Sequence, residues 1–414
     1  MTATSDAVAD AYRREWASVL AATVRAAGDI DLAEEWVQEA FTKALVDWDA
    51  NGVPDRPGAW LTTTAKRKAL DQLRRASTLR RKLPLLVEPK TSADSAEREE
   101  TSVIADDRLR LMFTCCHPAL ATETQVALTL RLVCGLPTGD IASAFLVSDS
   151  TMAARITRGK KKIQSARIPF TMPRADDLRE RLDAVLTVIH LFFTAGHTAS
   201  SGDTLVNREV TVRSIELGRL LSSLVPGDPE VDGLLALMLL TDARRDARID
   251  SAGDLVLLDQ QDRSTWDSAQ LIEGVSLAAA SLQRPGPPGR FALQAAIARV
   301  HAAAQTAAAT DWHEIVYLYD ELLVVWPSPV VALNRAVAVS RAVGPEEALA
   351  AVELLSDNPL LAKYLYLWST RADLLRQLGR YEEAAQDYRQ ALTLVENGAE
   401  RQFLQGRLTM VRRS

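Results

Sequence analysis

Apolar residues recur at three- and four-residue intervals along nearly the whole chain, and strict alternation is scarce, so the pattern predicts an all-α protein. A first segment spans residues 6–77. In it Asp31-Leu32-Ala33-Glu34 has the form of a capping box opening an amphipathic helix through Leu45. Asn51-Gly52, Pro54 and Pro57 break the chain, and a second helix is expected from Gly58 to Arg75. Residues 78–104 lose the periodicity. They hold Pro84, Pro89, Thr91, Ser92 and the run Glu97-Arg98-Glu99-Glu100, so they read as a mobile linker. Residues 105–169 predict four short helices, near 107–115, 122–134, 138–146 and 149–165, with Pro169 and Pro173 ending the segment. A third helical segment, 177–283, is rich in Leu and Ala. The stretch Gln283-Arg284-Pro285-Gly286-Pro287-Pro288-Gly289 separates it from a fourth, 290–410.

The fourth segment carries an internal repeat. Leu378-Gly379-Arg380-Tyr381-Glu382-Glu383-Ala384, with Tyr388 and Ala391, resembles the second half of a tetratricopeptide (TPR) repeat, and Trp368 and Ala372 sit at packing positions of its first helix. Ala336 and Ala348 fall at the same small positions one repeat earlier. Ile315, Tyr319, Leu322 and Pro327 mark a weaker third copy, giving repeats at roughly 296–328, 329–362 and 365–398. Small residues let paired helices approach and aromatics fill the groove between repeats. An ordinary array of helical hairpins has much the same pattern.

With 414 residues, 47% hydrophobic and 25% charged, the composition is that of a globular protein of two or three domains. Cys115, Cys116 and Cys134 are too few for a disulfide scaffold. The first twenty residues carry Asp6, Asp10 and Glu15 without an apolar run, so no secretory signal is expected. The longest apolar run, Leu234 to Leu240, falls far short of the roughly 20 residues a membrane span needs, so the expectation is a cytoplasmic protein without a membrane partner. The net charge of −6 conceals two basic blocks. Between Trp60 and Lys82 there are eight bases and one acid, Asp71; between Arg155 and Arg167 there are six bases and none. These are two local footprints for phosphate, or two solvated helix faces.

The second block belongs to a helix-turn-helix. Thr138 begins a helix with Ile141, Ala142 and Phe145 inward; Leu146-Val147-Ser148 makes the turn, and Asp149 to Arg158 forms the second helix, capped by Ser148 or Asp149. Ser150 and Thr151 lie near its start, where side chains reach base edges. Arg155 and Arg158 follow at helical spacing and Lys160 and Lys161 beyond them. Arg suits bidentate reading of guanine in the major groove. The first block lies on the 58–75 helix, where Lys66, Arg67, Lys68, Arg74 and Arg75 alternate with Leu61, Ala65, Ala69 and Leu70. Such a face tracks a nucleic-acid backbone, and stacking on Trp60 favours unpaired bases.

Together these features resemble the extracytoplasmic-function (ECF) class of the bacterial sigma-70 family. The run from Asp31 to Phe41 is similar to region 2.2, Trp60 to Arg75 to regions 2.3 and 2.4, and Thr138 to Ile163 to region 4.2. The family usually has Asn where this chain has Arg67. Phe113-Thr114-Cys115-Cys116-His117-Pro118-Ala119-Leu120, Ala144-Phe145-Leu146-Val147, Gly233-Leu234-Leu235-Ala236-Leu237-Met238, Leu258-Asp259-Gln260-Gln261-Asp262-Arg263 and Leu333-Asn334-Arg335-Ala336-Val337-Ala338 resemble the subgroup with a long TPR-bearing C-terminal extension, in which Leu replaces the turn Gly at the position of Leu146. The resemblance implies a non-enzymatic sigma factor that brings core RNA polymerase to promoters. Asp31, Leu32, Glu34, Glu35, Trp36, Gln38 and Phe41 would dock on the clamp helices of the β′ subunit. Trp60, Lys66, Arg67, Lys68, Asp71, Arg74 and Arg75 would handle the −10 element. Ser150, Thr151, Arg155, Arg158, Lys160 and Lys161 would handle the −35 element, with region 4 on the β flap. It further implies a small regulatory partner protein for the extension.

Two other constellations invite chemistry. Cys115-Cys116-His117 with Cys134 has the residue types of a zinc site, but no Cys-x-x-Cys pair exists, and buried apolar cysteines are the alternative. Asp259-Gln260-Gln261-Asp262-Arg263 with Trp266 is either a ligand site or a polar helix junction. No metal site, cofactor or catalytic residue is expected, since no phosphate loop, His-Glu-x-x-His or nucleophile elbow is present. The rival reading is a TPR-containing helix-turn-helix regulator that binds duplex operators without polymerase; it leaves the 31–75 region unexplained.

Overall fold

A computed structural model describes residues 3–82, 107–145, 147–197, 207–250 and 255–413. The described residues are all-α, with one isolated bridge between Ile249 and Leu255. They form two compact units, 1–188 and 189–414. None of the described helices is long and apolar enough to cross a membrane.

Unit 1 opens with three long helices, α1 (Ala3–Ala27), α2 (Ile30–Asn51) and α3 (Pro57–Lys82). The helix start in α2 differs from the predicted capping box. Asp29, not Asp31, is the N-cap, and its carboxylate accepts from Leu32 N at 3.1 Å. This frees Glu34 for another role. Gly52 stops α2 by taking φ +82°, a conformation that costs a side-chain-bearing residue on the order of 1 kcal/mol. In α3 Leu61, Ala65 and Ala69, spaced four residues apart, form a fully buried stripe. The helix continues to Lys82, seven residues past the expected Arg75, into the stretch read as linker; the rest of that linker lies outside the described residues.

Four short helices follow: α4 (Asp107–Cys115), α5 (Thr122–Leu128), α6 (Thr138–Ala144) and α7 (Asp149–Ser165). The chain from Thr129 to Val133 winds as a π-turn after α5, a widening the 3.6-residue pattern does not reveal. The division between the units falls within α8 (Ala175–His197). Its first half stays with unit 1, where the Arg181 guanidinium donates to Phe113 O.

Unit 2 continues with α9 (Arg208–Leu224), α10 (Pro229–Asp242), α11 (Ser268–Leu282), α12 (Arg290–Ala303), α13 (Trp312–Val325), α14 (Pro329–Ala342), α15 (Pro345–Glu353), α16 (Leu365–Gln377), α17 (Tyr381–Leu394) and α18 (Gly398–Val411). The stretch 283–289 is a loop inside this unit. The α12 N-terminus has no side-chain cap of its own. Glu230 of α10 supplies one, accepting from Phe291 N and Ala292 N at 3.0 Å each. The small residues of the repeat pattern, Ala336, Ala348, Ala372 and Ala384, are all fully buried, and Tyr388 fills space beside them. These are the positions where a TPR array needs close approach.

Candidate nucleic-acid and polymerase interface

In unit 1 the recognition helix α7 is positioned by its own apolar face. Met152, Ile156, Gly159 and Ile163 are buried, and Gly159 allows the closest approach. A Cβ there would lie 2.6 Å from Thr124 Cγ2 and 2.9 Å from Leu128 Cδ1 on α5. Ile141 and Ala142 of α6 are also buried, while Phe145 is half-buried. Leu146, the expected turn residue, lies outside the described residues. Ser148 caps α7, its Oγ accepting from Thr151 N at 3.2 Å. Ser150, Thr151, Arg158 and Lys161 are exposed and Arg155 is half-buried, so this face is open to a duplex. Lys160 points elsewhere. It lies about 140° around the helix from Arg155, at 100° per residue, and its ammonium bonds Glu34 at 2.5 Å and Asp31 at 2.9 Å. Lys160, expected at the −35 element, thus makes an internal contact in this chain.

On α2, Asp31, Leu32, Glu35 and Gln38 are exposed. Trp36 and Phe41, expected as apolar contacts for a partner, are instead core residues, 2% and 6% exposed. Phe41 packs against Tyr12 and Trp16, with ring centroids 5.1 and 6.1 Å away. The helical period puts them on the inner face; the sequence match alone did not separate inner from outer positions. Glu34, also expected at the surface, is buried. It joins Lys160 on one side and Arg131 of the π-turn, at 2.5 Å, on the other. Burial alone would depress the Lys160 ammonium pKa, but Glu34 and Asp31 outweigh it and hold it above its usual value. Gln164 extends the seam by donating to Asp29 at 3.0 Å. Further along, Trp16 Nε1 donates to Leu132 O at 3.0 Å, and Tyr12 OH to Gly135 O at 3.1 Å. Arg131 was not among the candidate residues; nothing in its local pattern distinguishes it from a solvated arginine.

On α3, Trp60 is half-buried, edge-on to Trp48 at 5.7 Å, which fixes its ring at the helix start. Arg67 is exposed and Lys66 half-buried; Lys68 pairs with Glu39 of α2. Asp71, Arg74 and Arg75 continue the helix, and their side chains lie outside those described.

The cysteines behave as small apolar residues. Cys115 and Cys116 are fully buried, and burial pushes the Cys116 thiol up to about 12 beside Thr129 Oγ1 at 3.4 Å. Cys134 is half-buried rather than buried. Among the described residues no cluster of His, Cys, Asp or Glu is arranged to hold a metal ion. In unit 2 the 259–263 stretch serves as a junction. Asp262 caps a short 3₁₀ turn, while Arg263 donates to His301 O at 2.7 Å and Ala304 O at 2.5 Å. The same loop borders a cavity of about 360 Å³, lined by Asn334 and Arg341 of α14, Thr370 of α16 and Arg407 of α18. Asp259 closes one side by pairing with Arg341 at 2.6 Å.

The comparisons with known proteins follow this geometry. The sigma-70 region 2 family matches residues 9–78 and the sigma-70 region 4 family matches residues 110–163. The chain belongs to the sigma-70 family. It is of the ECF type with a TPR extension: the tetratricopeptide repeat family matches 365–397. A family of unknown function matches 181–282. An uncharacterised protein of Rhizobium meliloti (strain 1021) is 42% identical over 397 residues, 94% of this chain and 92% of that one. A probable ECF RNA polymerase sigma factor, SigI, of Mycobacterium tuberculosis (strain CDC 1551 / Oshkosh) is 32% identical over 177 residues, 41% of this chain and 59% of its own length. No solved structure matches the chain significantly. Sigma-70 membership implies binding to core RNA polymerase and promoter DNA.

Proposed function

We propose that this protein is a cytoplasmic ECF-type sigma factor whose C-terminal extension regulates its use. The observation that carries the reading is the pairing, in one compact unit, of an α2 face bearing exposed Asp31, Leu32, Glu35 and Gln38 with an α7 face bearing Thr151, Arg155, Arg158 and Lys161. In this reading α2 docks on the clamp helices of the β′ subunit and region 4 rests on the β flap. α3 handles the −10 element through Trp60, Lys66 and Arg67, with Lys68, Asp71, Arg74 and Arg75 alongside, and α7 reads the −35 element. A duplex-binding regulator needs only α7 and leaves the α2 and α3 faces without a task. Run-off transcription with core polymerase added or withheld separates the two. Promoter-directed product requires both components if the reading is right, whereas tight operator binding by the protein alone and no product with core would refute it.

The extension would act by receiving a small regulatory protein or ligand at the cavity lined by Asn334, Arg341, Thr370 and Arg407. TPR arrays commonly present a concave binding face. Cutting the chain after Pro173 is a poor test, because it removes Arg181 from unit 1. Arg407→Ala and Asn334→Ala in the full chain leave unit 1 intact. A change in transcription output at equal folded concentration supports regulation through this cavity; unchanged output in a strain where wild-type activity responds to its inducing condition counts against it.

A further inference from the structure

In unit 2 the chain from Leu255 to Trp266 crosses as a strap towards the helices of the repeats. Its near end is held by the bridge between Ile249 and Leu255 and by Val256 N, which donates to Arg248 O at 2.8 Å. Its far end is fixed by Arg263, which donates to His301 O, Ala304 O and Thr310 Oγ1 at and beyond the end of α12. Between these ends Asp259 reaches α14 and pairs with Arg341 at 2.6 Å. Leu257 and Leu258 are half-buried and line the cavity of about 360 Å³ that the strap leaves against α13, α14, α16 and α18. One turn of a helix about 10–12 Å across, side chains included, fills more than about 400 Å³, so the space is too small for a docked helix. It falls instead in the range of small-molecule sites, roughly 300–1,000 Å³.

The lining offers apolar surface from Leu257, Leu258, Trp312, Val337 and Phe403. The charges around that surface do not balance. Asp259 is paired with Arg341, and Asp373 with Arg376 at 2.8 Å. His301 carries no charge at neutral pH, because burial, with Arg244 and Arg263 nearby, pushes its pKa to about 4. Among the described residues no carboxylate meets the remaining lining cations, Arg263 and Arg407. Arg263 directs its donors at backbone and hydroxyl oxygens, whereas Arg407 lies over the Phe403 ring of its own helix, at 5.1 Å from the ring centroid. Asn334 and Thr370 add neutral hydrogen-bonding groups.

We propose that this cavity binds a small-molecule monocarboxylate with an apolar body, its head held by Arg407 and its body by Leu257, Leu258, Trp312 and Phe403. The inference rests on the reading of the cavity as the place where the extension receives a regulator, and it gives that regulator a chemical class. The unmatched cations favour an anion over a neutral or cationic ligand. A carboxylate suits the site better than a phosphate, because Asp259 and Asp373 also line it and repel a dianion more strongly than a single charge. Asp259 already places a carboxylate on Arg341. A ligand head that approaches Arg341 competes with Asp259, so occupancy loosens the strap from α14 and carries the binding event into the fold.

The test uses the full chain and three probes: phenylacetate, its neutral amide phenylacetamide, and an N-acetylated hexapeptide ending in a free-acid phenylalanine. Binding is read by ligand-observed NMR titration. Phenylacetate should bind at least about tenfold more tightly than phenylacetamide, since the amide forfeits the charge-assisted hydrogen bonds to Arg407. Arg407→Gln should bring the acid down to the level of the amide. Asp259→Asn removes the competing carboxylate from Arg341 and should strengthen binding of the acid but not of the amide. The ratio of acid to amide is measured on the wild-type chain, so it decides the matter even where a variant fails to fold. Equal binding of acid and amide, or no binding of the acid at millimolar concentration, overturns the anion site. Tighter binding of the hexapeptide than of phenylacetate overturns the small-molecule assignment, because a longer chain enters only if the strap leaves. No polymerase is present in the titration, so failure of the regulatory reading, seen in transcription, is distinct from failure of the site, seen as acid and amide binding alike.

Discussion

Glu34 and Lys160 stand 126 residues apart in the chain and share a 2.5 Å ion pair in which their side chains are only 7% and 13% exposed. One is the acid of a helix assigned to protein docking and the other a base of a helix assigned to DNA. A buried pair of this kind contributes little net stability over an apolar substitute, but removing one partner leaves an uncompensated charge.

Glu34→Lys should therefore destabilise unit 1 by about 3–5 kcal/mol, because it places a third cation beside Arg131 and Lys160. Glu35→Lys, at an exposed position, should leave stability within about 0.5 kcal/mol and weaken association with core polymerase. Chemical denaturation and co-purification with polymerase measure the two effects. Equal destabilisation by both would contradict the burial of Glu34.

Arg155→Ala should relax the base preference at one position of the −35 element, with a cost of ~1–3 kcal/mol at that base pair. Lys161→Ala should weaken binding to all sequences alike and reduce the salt slope by about one. Binding selections on randomised −35 sites, repeated at two salt concentrations, distinguish these outcomes. An unchanged preferred sequence in Arg155→Ala would show that the recognition face is turned differently.

Gly159→Ala should destabilise region 4 in spite of alanine's better helix propensity. The added methyl meets Thr124 Cγ2 and Leu128 Cδ1 at under 3 Å, and overpacking of this kind typically costs 1–3 kcal/mol against roughly 1 kcal/mol gained in propensity. Thermal unfolding of the variant is the measurement; a raised midpoint would mean that α5 and α7 separate easily.

Unit 2 should lose stability below pH 6.5. Burial holds the His190 and His301 imidazoles down to about 4, Arg290 adding to the first and Arg244 and Arg263 to the second. His197, buried near Arg248, Arg244 and Arg245, is held at about 2. All three are neutral when folded and take up protons near pH 6.5 when unfolded, so acid favours the unfolded chain. The loss begins as pH falls through 6.5 and, for His190 and His301, levels off near 4, at up to roughly 3 kcal/mol each. Asp387 works in the opposite sense. Burial raises its carboxyl to about 6, so its protonation as pH falls offsets part of the loss. Urea unfolding of the full chain at pH 7, 6 and 5 gives the slope, and His301→Phe should flatten it. Equal unfolding free energies at pH 7 and 5 would contradict it.

The sequence by itself determined the all-α class, the four short helices of region 4 to within a residue or two of most ends, the Ser148 cap and the small packing positions of the repeats. These are local properties: period, cap chemistry and side-chain size act over a few residues, so a linear reading captures them. It also identified the two basic blocks, because charge density needs no fold. Only the tertiary structure decided which of those charges are free. Thr151, Arg158 and Lys161 face outward while Lys160, one residue from Lys161, is spent on Asp31 and Glu34. Trp36 and Phe41 likewise match a docking motif yet belong to the core, and Arg131 is tied to α2 by its pair with Glu34. The physical reason is that an ion pair between residues 34 and 160 depends on how α2, the π-turn and α7 pack. No pattern within one helix encodes the position of another's charge.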